Sequence, residues 1–195
     1  MKNLLPKNLK VFSGVISFII ILIVSNYFWK YFVLGDESGV SVTFFGIDIS
    51  RPFVYLSHQI AVSTHQILNF IGYDTSLTPN NVVRHSISGS SVCVVWSCSG
   101  IKQAYIYFCI IAFFSGPWKH KLWYIPMGLI FVYLFNLFRI VFITAVIDKH
   151  PEQFDFWHEY VMKYAFYGMI FLLWVAWNEL FVLKKPQSKD RGLTT

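Results

Sequence analysis

Ser91-Val-Cys-Val-Val-Trp-Ser-Cys-Ser-Gly-Ile-Lys-Gln103 is the stretch on which the reading of this chain turns. Its first half is polar and β-patterned, and its second half opens an apolar run at Ile101. Cys98 therefore stands where a strand-like segment stops and a helix begins. A helix N-terminus carries partial positive charge and unpaired N–H groups, which favour a thiolate over a thiol. The placement suits a nucleophile, although a small buried cysteine in a membrane helix has the same local sequence.

The surrounding composition identifies the medium. The chain has 195 residues, of which 55% are hydrophobic and only 13% charged, a balance that belongs to an integral membrane protein rather than to a soluble domain. The length allows a single membrane domain (1–195). Net charge is +6, yet the basic residues sit at the ends of apolar segments instead of alternating with stacking aromatics. That pattern excludes a nucleic-acid surface and marks topology. Three cysteines, Cys93, Cys98 and Cys109, are too few and too irregular for a disulfide scaffold or a metal site, and no cofactor is implied.

Working toward the N-terminus, Thr75 to Ser97 contains two β-rich runs, Val82 to Ile87 and Val92 to Trp96, joined through Ser88-Gly89-Ser90. They read as a hairpin, which must lie outside the hydrocarbon because an open ribbon leaves its edges unpaired in lipid. Pro52 to Tyr73 has helical length but carries Ser57, His58, Gln59, Ser63, Thr64, His65 and Gln66. Such a segment reads as an interfacial or re-entrant amphipathic helix. Tyr31 to Ser50 is a loop around Gly35, Asp36, Glu37 and Gly39, with a strand or strand pair in Val40 to Ile49. Val11 to Trp29, behind Lys2, Lys7 and Lys10, is a retained anchor with its N-terminus in the cytoplasm.

Toward the C-terminus three apolar segments follow, Ile101 to Ser115, Leu122 to Ile147 and Trp157 to Leu183. Basic residues at Lys119 and Lys121 and in the tail after Lys184 mark the cytoplasmic side, and the acidic loop with Glu152 and Asp155 lies outside. The expected architecture is an all-α membrane protein of about four transmembrane helices plus the interfacial helix and a small external β-hairpin. Its parts are an anchor (1–30), an external region (31–97), a helical core (98–183) and a cytoplasmic basic tail (184–195). Cys98 faces the exterior of the cell (inner) membrane in this topology.

Two further residues share that level. Arg139 lies inside an apolar span, where a charge is costly and needs a partner or a task. From Arg139 to Ile147 is about 12 Å of helix, which places the guanidinium in the outer leaflet. His158 opens the last span from the external side. A thiol, an imidazole and a guanidinium in one layer suit acyl transfer: the imidazole moves the thiol proton and the guanidinium stabilises an oxyanion. Each residue also has a plain structural role open to it. Arg139 serves equally as a snorkelling anchor, and His158 as an interfacial side chain beside Trp157. Cys93 and Cys98 are spaced for a disulfide in a bend. Cys109, mid-span, is packing. His58 and His65, two helical turns apart, form a polar stripe, a cleft lining or a metal pair. Glu159 and Lys163 are spaced for a local ion pair. Asn178 and Glu179 are interfacial.

Trp96-Ser97-Cys98-Ser99-Gly100-Ile101 resembles the Cys-Ser-Gly motif of the exosortase/archaeosortase family, Asn136-Leu137-Phe138-Arg139 resembles its Asn-x-x-Arg motif, and His158 resembles its downstream histidine. The resemblance covers Pro52 to about Leu183. It implies a membrane cysteine transpeptidase that cuts a C-terminal sorting signal (a short motif, a transmembrane helix and a basic tail) from a membrane-anchored substrate protein. The new carboxyl end would pass through a Cys thioester to an envelope acceptor, a lipid or a glycan. By that carry-over Cys98 is the nucleophile, Arg139 the oxyanion stabiliser and His158 the proton carrier, with Asn136, Ser99 and Gly100 in support. The chain lacks the additional helices of long family members, and no Asp or Glu stands out as an orienter for the imidazole, so Asn136 is the candidate for that supporting role. A non-enzymatic membrane adaptor or small transporter subunit is the competing reading.

Overall fold

The computed structural model describes residues 7–36 and 41–183. Lys2, Glu37, Gly39 and the basic tail after Leu183, on which part of the expected topology rests, lie outside the described residues. The described residues begin with helix α1 (Lys7–Phe32) and a small antiparallel sheet of β1 (Val33–Gly35), β2 (Val42–Phe44) and β3 (Ile47–Asp48). Its β2–β3 connection is the tight pair Phe45-Gly46, both with positive φ, as a two-residue hairpin loop requires. Helix α2 (Ser50–Ile71) leads to a second sheet of β4 (Thr75–Leu77), β5 (Val82–His85) and β6 (Ser91–Cys93). A 3-10 turn at Trp96–Cys98 delivers the chain to helices α3 (Ile101–Phe113) and α4 (Trp118–Ile147). The last helical segment runs from Pro151 to Leu183, with α5 (Met162–Trp177) flanked by π-helical turns at Phe156–Val161 and Asn178–Leu183.

The apolar helices alternate in direction, and side-chain pairs fix the register. Gly14 of α1 backs onto Phe114, whereas Phe28 stacks on Tyr105 at 6.2 Å, so α1 and α3 are antiparallel. Along the α3–α4 hairpin, Lys121 meets Phe114, Gly128 meets Tyr107, and Asn136 meets Cys98. Gly128 is required here, because a Cβ would sit 1.9 Å from the Tyr107 hydroxyl oxygen, itself fixed by donating to the Tyr124 carbonyl. The last helix returns antiparallel to α4, with Tyr124 bonded to Leu173 and Phe142 packed on Trp157. One end of the bundle therefore gathers the C-termini of α1 and α4 and the start of α3 and of the last helix. The chain leaves α1 and enters α3 at this same end, so α2 and both sheets belong to it.

Helix α2 buries Phe53, Ser57, Ile60, Ala61, Thr64 and Leu68, an i, i+3, i+4 stripe. Its polar residues dock on the second sheet. His58 Nδ1 pairs with Asn81 Oδ1 at 2.9 Å and His65 Nδ1 with Thr75 Oγ1 at 2.8 Å. Those contacts explain the polar stripe without a metal, and among the described residues no group of three His, Cys, Asp or Glu side chains is arranged to hold one.

Two expectations are met only in part. Among the described residues three helices are long and apolar enough to cross a bilayer, Phe12–Phe32, Trp118–Ile147 and Pro151–Leu183, which meets the expected count of four in part. Helix α3 has 13 residues, about 20 Å against a hydrocarbon layer of roughly 30 Å. The single hairpin is likewise a three-stranded sheet, because Thr75–Leu77 adds to β5, and a second three-stranded sheet forms near α1.

Lys121, read from sequence as a topology charge, is only 4% exposed. Its ammonium donates to the carbonyls of Ala112 at 2.8 Å and Phe114 at 2.6 Å. It caps the end of α3, where carbonyls have no partner in the next turn.

Candidate active site

Cys98 is held from three sides. Its amide donates to Val95 O at 2.9 Å, closing the 3-10 turn. Ser57 of α2 donates to the same Val95 carbonyl at 3.0 Å, and Asn136 of α4 donates to the Cys98 carbonyl at 2.8 Å. Trp96, at the head of the turn, closes against Gly35, where a Cβ would lie 2.2 Å from the indole.

Gly100 makes the transition into α3 possible. Its φ is +78°, a conformation costly for any residue with a Cβ. A Cβ there would also sit 2.9 Å from Asn136 Nδ2. Ser99 is buried, and its hydroxyl accepts from the Ile101 amide at 3.3 Å, supplying one of the bonds that the helix start lacks. The three residues expected in support thus act on the backbone of the cysteine turn, and Asn136 acts on Cys98 rather than on the imidazole.

The thiol environment corrects one expectation. Cys98 is 8% exposed among Ile60, Ala61, Val94 and Ile140. Burial pushes its pKa up, and the nearby Arg139 guanidinium opposes the rise only in part. The helix N-terminus does not prevail, because α3 begins three residues later and desolvation of the charged form is the larger effect. At neutral pH the resting group is the protonated thiol, which needs a base. Alkylation of Cys98 by N-ethylmaleimide should therefore follow a pH curve with its midpoint above that of free cysteine in solution, and Arg139→Gln should move that midpoint higher. Mass spectrometry of the modified Cys98 peptide in parent and variant reads both curves.

Arg139 is 7% exposed, on the inner stripe of α4 with Asn136, Ile140 and Ile143. It makes no ion pair among the described residues, and its buried Nε has no hydrogen-bond partner. Asn136 Oδ1 is likewise buried and unpartnered. The guanidinium lies within electrostatic reach of both Cys98 and His158. Cys98 and His158 do not bond each other directly, and Arg139 exerts its charge on each of them.

A family model for transmembrane exosortases matches residues 38–176, well over half of the chain. The chain belongs to the transmembrane exosortase family. No curated protein and no solved structure in the comparisons matches this exosortase. Its long apolar helices make it a multi-pass membrane protein.

In this exosortase His158 sits in the π-helical turn Phe156–Val161. Its ring stacks on Phe154 at 5.1 Å with 9° between planes. Its Nδ1 lies 3.0 Å from Glu159 Oε1, whose other oxygen is 3.4 Å from Lys163 Nζ. The Glu159–Lys163 pair was legible as an i, i+4 spacing. The Glu159–His158 contact was not, because adjacent residues on an α-helix do not face each other. Cys93 and Cys98 are both free thiols, so the disulfide spacing is not used, and Cys109 is buried packing.

Proposed function

We propose that this exosortase is a compact sorting protease and transpeptidase of the cell membrane, with Cys98 as nucleophile, His158 as proton carrier and Arg139 as oxyanion stabiliser. The observation that carries the reading is Arg139: a buried guanidinium near a thiol, with an idle Nε and no carboxylate partner among the described residues. A buried cation is ordinarily paired. An acyl oxyanion formed at Cys98 gives it a bonded anionic partner only while the reaction is under way, which is when stabilisation raises the rate.

The chemistry follows. His158 takes the Cys98 proton as the sulfur adds to the scissile carbonyl, and the oxyanion is held by Arg139. The tetrahedral adduct collapses to a thioester as the C–N bond breaks, and the departing amine takes the proton from the imidazolium. An acceptor hydroxyl or amine then gives its proton to His158 and attacks the thioester, and the thiol is regenerated. The substrate is a membrane-anchored protein with a C-terminal sorting signal, and the acceptor is an envelope lipid or glycan.

In this reading α1, α3, α4 and the last helix form four passes, with the thiol end of the bundle facing outward. The alternating helix directions support that arrangement, as does the apolar surface of α1, where Ile16, Ile19, Ile20, Ile23 and Val24 are exposed. The adaptor reading has Arg139 paired structurally and the cysteines in a disulfide; Arg139 makes no ion pair among the described residues, and the cysteines are free.

The test is to trap the intermediate. Full-length exosortase in membranes, given a tagged protein ending in a short motif, a transmembrane helix and a basic tail, is quenched in acid and digested. The expected result is a hydroxylamine-sensitive acyl adduct on the peptide carrying Cys98. An adduct only on Cys93, or none while the substrate is cut, overturns the assignment.

A further inference from the structure

Resting on the exosortase reading, we propose that Glu159 is the positioning residue of this site. Its carboxylate accepts a hydrogen bond from His158 Nδ1–H and fixes the tautomer in which Nε2 carries the free lone pair.

The geometry specifies each part. Glu159 Oε1 stands 3.0 Å from His158 Nδ1, within hydrogen-bond range. A carboxylate only accepts, so in the neutral imidazole the nitrogen facing it holds the proton. Nε2 has no partner among the described residues, and it is therefore the nitrogen open to a thiol or an amine. The Phe154 stack sets the plane of the ring, and the carboxylate sets its rotation within that plane. Trp157, next in the chain, holds this turn to α4 through Phe142 at 5.0 Å. The contact occurs in a π-helical turn, a distortion that often accompanies functional sites.

The ion pair with Lys163 does not account for Glu159. Both side chains are more than half exposed and 3.4 Å apart, and such surface pairs add little to stability. A carboxylate that served only Lys163 would have no need to keep its second oxygen on the imidazole.

Two measurements test the assignment. The first uses resting protein labelled with 15N-histidine, with the His158 signals identified by their loss in His158→Gln. Nδ1 is expected in the protonated form and Nε2 in the unprotonated form. Glu159→Leu should give a mixture of tautomers, whereas Glu159→Gln, whose amide oxygen still accepts, should keep the signature. The second follows acylation of Cys98 by p-nitrophenyl acetate. Glu159→Leu should slow it about tenfold to a hundredfold, the range seen when a partner that orients a metal-bound histidine is lost, while Lys163→Gln stays within about threefold of the parent.

A His158 with its proton on Nε2 overturns the proposal, as does a Glu159→Leu enzyme acylated at the parental rate. Equal losses in Glu159→Leu and Lys163→Gln overturn it too, since they would assign Glu159 to the ion pair. If the parent reacts no faster than Cys98→Ala, the cysteine chemistry itself is wrong, an outcome distinct from the other three. The nitrogen signature needs no substrate and stands independently of it.

Discussion

Cys98→Ala exosortase is expected to insert and fold like the parent, and to leave its substrate uncleaved. The sulfur makes and breaks every covalent bond in the proposed cycle, so turnover should fall to background. The fold should tolerate the change. The backbone of the turn is fixed through the Cys98 amide and carbonyl, which alanine retains, and a cysteine packs as a small apolar side chain. Quantitative blotting of the substrate, beside a protease-protection assay of the variant, separates lost chemistry from lost insertion. Processing by a well-inserted alanine variant would show that the thiol is not the nucleophile.

Arg139→Lys should lower turnover about 10²- to 10³-fold, the loss seen when one oxyanion donor is removed, or about 2.7–4 kcal/mol of barrier. Lysine keeps the charge but replaces a planar fork with a point donor. If Arg139 were a headgroup anchor, lysine would serve as well, because both snorkel. The kinetic pattern also matters: kcat should fall with little change in KM, since the contact proposed for Arg139 forms with the oxyanion and not with the resting carbonyl. Single-turnover cleavage at saturating substrate provides that number.

How much of this was legible in the sequence depends on distance along the chain. Apolar runs gave the long helices to within a few residues, because hydrophobic length is a property of local sequence. The amphipathic character of α2 was legible for the same reason. What its polar face docks on was not, since the partners of His58 and His65 lie across the second sheet. The third strand, Thr75–Leu77, escaped because three residues carry no periodic signal and pairing with β5 defines them. Lys121 misled as a charge in a polar loop; only the end of α3, with carbonyls left over, makes it a cap. In the site, Arg139 was found because a charge within an apolar span is conspicuous at any depth. Glu159 was passed over because an α-helical template turns neighbours apart, and a π-helical turn leaves no mark in a single sequence. The raised Cys98 thiol was missed for a related reason: a helix start can be read locally, but burial by α2 and α4 cannot.

The contact between Gly100 and Asn136 sets a rule for how this site can be altered. Each residue occupies space that the other would need to grow into, and the amide that limits Gly100 is the one holding the Cys98 carbonyl. Changes at the two positions are coupled, so their effects will not add. A library that varies either position alone samples only collisions or lost anchors; redesign of the cysteine turn has to vary both together.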